Sequence, residues 1–259
     1  MRTLVAFFLL AMAAPPATAQ FSLADARNAL DRAVHANDLD SLRAARAGLQ
    51  LVASGDGTEA DWARYYTALA DYRLTYALWG ADPDAAAQHA RLGSDALADL
   101  RRQSAGDLLV ESTALHVAMM GARMGLDPSL GMSLGASSQR AQADASRLAP
   151  DNPRVQFVEA TALLNTPPEW GGDPERAKTL LQSALATFEA GGSDGDALAP
   201  DWGHGDVAAW LGMAHLMSGD PAAARPHIER AEELDPNSDF VRYKLKGWLA
   251  QLESETAAN

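Results

Sequence analysis

The chain has 259 residues, 34 acidic against 21 basic, a formal net charge of −13, and no cysteine. With lysine only at Lys178, Lys244 and Lys246 and the arginines scattered among acids, it lacks the clustered basic surface that nucleic acid or an anionic membrane requires. The absence of thiols excludes disulfides, thiolate metal sites and a lipid-bearing cysteine behind a leader.

Residues 1–19 read as a signal peptide rather than as fold. Arg2 gives a positive start, Leu4 to Ala14 form an apolar run too short to span comfortably, and Ala17-Thr18-Ala19 offers a small-residue cleavage site. The expectation is a mature chain from Gln20 with 20 basic and 34 acidic residues. It would be periplasmic or secreted, with no integral membrane span.

Residues 20–259 read as one helical domain. Alanine-rich segments with apolar residues at helical spacing alternate with short breaks, and no stretch alternates with the two-residue period of a half-buried strand. Predicted helices cover about 22–35, 38–53, 58–80, 83–103, 106–125, 132–149, 153–166, 174–190, 205–218, 221–234 and 238–254. Asp-Pro recurs at Asp82-Pro83, Asp127-Pro128, Asp173-Pro174 and Asp220-Pro221, at spacings of 45, 46 and 47 residues. Each pair is a helix cap followed by a proline suited to a first turn. If each opens the second helix of a hairpin, the chain makes about five hairpins and a C-terminal capping helix, the first turning near Asn37 and Asp38.

Two segments are the clearest units, 153–190 and 205–238. In the later one Leu211 and Gly212 lie on the first helix, Gly219-Asp220-Pro221 makes the turn, Ala224, Ile228, Ala231 and Leu234 form one stripe, and Pro236 ends it. Pro226 should bend or loosen its second helix. In the earlier one Ala160, Ala177, Leu181 and Ala184 take the matching places, with five more residues at the turn, where Thr166 to Asp173 reads TPPEWGGD.

These positions, with NPRV from Asn152 and Asp201-Trp202-Gly203, resemble a tetratricopeptide (TPR) repeat protein of an exported bacterial family of uncharacterised role, over residues 148–246. The resemblance implies an all-α, right-handed TPR-like solenoid whose concave face binds a protein or peptide, and it supplies no catalytic residues. Its groove register falls on Arg154, Phe157, Thr161, Leu164 and Asn165 in one unit and Asp206, Ala209, Met213, Leu216 and Met217 in the next. Those faces suit an apolar segment better than a carboxylate terminus, which would need several converging cations.

Two aromatic features stay open between packing and binding. Trp170 in TPPEWGGD either folds back over the neighbouring hairpins or stands out as a partner anchor. Trp62, Tyr65, Leu69, Tyr72, Tyr76 and Trp79 make one stripe, either core or groove wall. An enzyme is not expected: HExxH, GxSxG and phosphate-loop patterns are absent, and Ser137 and Ser138 have no base nearby in sequence. No cofactor or metal is expected either. The six histidines never pair at four-residue spacing, although His215 and His227 could meet across their hairpin, and Asp194, Asp196 and Asp201 lack the other ligands of a calcium loop. The expected role is a non-enzymatic interaction scaffold of the cell envelope. The alternative is a small solute held within the superhelix, as in transporter-associated helical-repeat proteins, with the Gly- and Met-rich run from Met119 to Gly135 as a flexible wall.

Overall fold

The computed structural model describes residues 22–191 and 198–258. The leader segment and the Asp194 and Asp196 carboxylates lie outside them. Eleven α-helices occupy most of the described residues, which contain no strand: α1 (Leu23–Ala36), α2 (Leu39–Ala53), α3 (Thr58–Leu78), α4 (Pro83–Gln103), α5 (Gly106–Leu126), α6 (Gly131–Leu148), α7 (Pro153–Asn165), α8 (Pro174–Glu189), α9 (His204–Met217), α10 (Pro221–Leu234) and α11 (Lys246–Ala258). None of the described helices is long and apolar enough to cross a membrane.

The Asp-Pro pairs open helices as their chemistry requires. Asp82, Asp173 and Asp220 each accept a hydrogen bond from the backbone N–H three residues on, and proline occupies the first turn, where a missing N–H costs nothing. Asp127 differs. Its carboxylate accepts from Ser129 N–H and opens only the 3-10 turn Pro128–Leu130, after which α6 begins. Asn37, in the left-handed region at φ 50°, closes α1, and Asp38 caps α2. A Cβ on Gly212 would lie 2.7 Å from Ile228 Cγ1, so α9 and α10 approach closely because Gly212 has no side chain. Helix α10 continues through Pro226, and the expected helix at 238–254 divides into a π-helical segment, Phe240–Leu245, followed by α11.

Five antiparallel hairpins result, α1/α2 to α9/α10, with α11 packed on α9 and α10. Each odd-numbered helix packs backbone to backbone against the next odd-numbered one, whereas the even-numbered helices stand further apart and meet through long side chains, as in the Arg230–Glu189 ion pair between α10 and α8. The odd helices therefore form the inner wall of an all-α solenoid, and the even helices its outer layer.

The wall curves far enough that the second hairpin meets the fifth. Arg73 on α3 makes two hydrogen bonds, of 3.0 and 2.8 Å, to the Asp206 carboxylate on α9, and Asn237 Nδ2 donates to the His35 carbonyl at the end of α1. Buried side chains form two clusters, one from Leu23 to Met119 and the other from Ala114 to Leu249. Ala118 and Trp202 pack against both.

Candidate functional site

The concave side of the wall, called the hollow below, is partly covered by the chain itself. Leu198–Trp202, between α8 and α9, lies across α1, α3 and α7. Its backbone carbonyls are taken up by inner-wall side chains: Tyr66 donates to Leu198, Arg27 to Ala199 and Arg154 to Trp202. The Trp202 indole N–H donates to Tyr65 Oη at 2.8 Å, its ring packs on Tyr72 and Phe157, and the Arg73 guanidinium lies 5.6 Å from its centre. Burial, reinforced by the Glu111 charge, pushes the Tyr65 phenol well above its ordinary range, so it stays neutral.

Beside this segment Arg154 and Glu111 form a buried ion pair, Nε to Oε2 at 2.7 Å and Nη2 to Oε1 at 2.9 Å. Asn152 Nδ2 adds a third hydrogen bond to Glu111. Removing one partner of such a pair costs about 3–5 kcal/mol, because the other charge is left buried and alone.

The groove register therefore falls on two different levels. Arg154, Phe157 and Asp206 lie at the filled level, bound to Glu111, Trp202 and Arg73 respectively. Further along the same helices Thr161 and Met213 are half-buried, Asn165 is exposed and Met217 is 44% exposed, while Leu164, Ala209 and Leu216 are buried. Trp210, four residues after Asp206 and resting on Phe240, belongs to the open level.

Aromatic residues divide along the same line. Trp62, Tyr65 and Tyr72 are buried, but Tyr76, one turn past Arg73, is 48% exposed and lies flat on Trp79 at 5.4 Å. A Cβ on Gly125 would meet Trp79 at 2.7 Å, so a side chain at 125 on α5 would displace that ring. The stripe is core over most of α3 and wall over its last turn.

Trp170 is 75% exposed and does not fold back over the fourth and fifth hairpins. Its turn is set by Gly172, where a Cβ would fall 1.8 Å from the Thr166 carbonyl oxygen, and by Gly171 at φ 97°. The tryptophan that fills the hollow is Trp202, in the Asp201-Trp202-Gly203 motif. Its contacts on α3 lie some 130 positions earlier in the chain, and no local spacing reveals them. Nor is the run from Met119 to Gly135 a flexible wall: Met119 and Met120 are buried on α5, and α6 begins at Gly131.

His215 and His227 do meet, with rings 5.5 Å apart and nearly parallel, and burial lowers both pKa values. Among the described residues no three His, Asp or Glu side chains converge as a metal site. A shallow recess of about 440 Å³ between α1 and α2, lined mainly by alanines with Arg32 and Ser41, has no converging polar groups.

No protein-family model matches the chain, and no curated protein matches it in sequence. Among solved structures it is similar to the HusA haemophore from Porphyromonas gingivalis, with a TM-score of 0.60 and 25% identity. The match covers 79% of this chain and 97% of that one.

Proposed function

We propose that this protein is an exported binding protein of TPR-like build that carries a small ligand, a flat macrocycle of the haem class, in the open level of its hollow. The likeness to a haemophore over 97% of that protein's length carries the ligand class. The inner wall supports a location. Trp202 is the floor, and Tyr76, Thr161, Trp210, Met213 and Met217 are the walls. Aromatic rings and thioethers suit a large polarizable ring, which gains more from dispersion and stacking than from hydrogen bonds.

The same filling weakens the scaffold reading. A peptide laid along the whole concave face would need the ground that Leu198–Trp202 already holds through three backbone carbonyls. Trp170 and Asn165, outside the hollow, are left as rim contacts of the loaded protein in this reading.

Titration with haemin, followed by Soret absorbance and tryptophan quenching, is expected to saturate at one equivalent. Met213→Glu, which places a charge against the ligand, should weaken binding at least tenfold with an unchanged helical signal. Absence of saturable binding by the wild-type chain overturns the reading.

A further inference from the structure

We infer that Tyr76 is the axial ligand through which the hollow holds the iron of a ferric macrocycle, with Tyr72 as the positioning residue behind it; this rests on the proposed haem-class function. Tyr76 follows Arg73 by three residues and Tyr72 by four, so all three share one face of α3. That face points into the hollow, because Arg73 bonds Asp206 on α9 and Tyr72 packs on Trp202.

Along this face exposure changes abruptly. Tyr72 is 7% exposed and Tyr76 48%, their rings meeting edge-on with centroids 4.9 Å apart. Burial pushes the Tyr76 phenol pKa upward, and the neighbouring Tyr72 hydroxyl acts against that rise. A hydrogen bond donated to a phenolate favours the anion, the form that binds ferric iron. The Tyr76 ring cannot swing freely, since it lies flat on Trp79, which is itself seated over Gly125.

Three of the six histidines, the usual competitors for iron, are held by hydrogen bonds, and the other three stack on a neighbouring ring. His89 is on Asp71, His116 on Arg101, His204 on Phe188, His215 on His227, and His35 on the Asp31 carbonyl through Nδ1.

The binding step balances without a redox partner. Ferric haem in water carries an axial hydroxide or water. That iron–oxygen bond breaks as the bond to Tyr76 Oη forms, the phenol proton leaves on the displaced hydroxide as water or passes to solvent, and iron stays ferric.

The test compares haemin with metal-free protoporphyrin on the wild-type chain, Tyr76→Phe and Tyr72→Phe. Tyr76→Phe keeps the ring on Trp79 and removes only the oxygen. It should abolish the phenolate-to-iron charge-transfer band and the phenolate Raman modes. It should also weaken haemin binding at least tenfold, about 1.4 kcal/mol, and leave the metal-free ring unaffected. Tyr72→Phe should retain the band at shifted energy with a smaller loss of affinity. If Tyr76→Phe binds haemin with wild-type spectrum and affinity, the ligand assignment fails while the hollow stands. If the wild-type chain binds neither ring, the proposed function fails with it.

Discussion

His116 sits on α5 with its Nδ1 accepting a hydrogen bond from Arg101 at 2.9 Å. Burial, then the charges of Arg101 and Arg123, lower its pKa from 6.5 to about 4. A histidine held neutral in the fold contributes stability that is fully present above about pH 6.5 and is lost as pH falls through the interval down to about 4. The loss amounts to about 3 kcal/mol. His116→Gln, which keeps an acceptor for Arg101 and cannot titrate, should flatten the melting temperature across that interval. An unchanged acid slope in the variant would remove His116 as its cause. Asp31 and Asp235, whose carboxyls burial pushes upward, act in the opposite sense and add stability as pH falls. At this scale sequence reading was weakest. Arg154 and Phe157 fall on groove positions by register, and register says nothing of the Glu111 carboxylate or the Trp202 ring that occupies them.

Helix starts, by contrast, were legible wherever a cap and a proline stood together, because both act within one turn of the chain. Asp82, Asp173 and Asp220 cap α-helices, whereas Asp127 caps only a 3-10 turn. Asp173→Ala should therefore cost about 1 kcal/mol in chemical denaturation and Asp127→Ala distinctly less; equal losses would contradict the distinction. The two tryptophan turns show where legibility ends. Pro-Glu-Trp-Gly-Gly and Asp-Trp-Gly offer the same local chemistry, yet Trp170 faces solvent and Trp202 joins the interior. What separates them is position on the curved wall, a product of five stacked hairpins rather than of either turn. Because Trp202 packs on both apolar clusters, Trp202→Ala should cost about 3–5 kcal/mol and split a single calorimetric transition into two. A single transition at the wild-type temperature would show that the indole does not couple the halves.

The whole molecule is acidic, with a formal charge of −13, and the proposed haem-class ligand carries carboxylates. Long-range repulsion should slow association. Raising salt from about 10 mM to about 0.1 M shortens the screening length from about 30 Å to about 10 Å, so the haemin on-rate should rise over that range. A falling on-rate would point to local cationic steering instead. Length, periodicity and the Asp-Pro spacing conveyed the all-helical hairpin stack. They could not convey its closure, since Arg73 and Asp206 are separated by 133 positions. That closure bears on how such a chain can diversify. An open solenoid lengthens by duplicating a hairpin, because each unit contacts only its neighbours. Here the second hairpin is tied to the fifth and the end of α1 to the segment after α10, so an inserted copy would pull both ties apart. Adding a hairpin would therefore cost the molecule both ties, whereas a change in a turn or a wall residue leaves them in place.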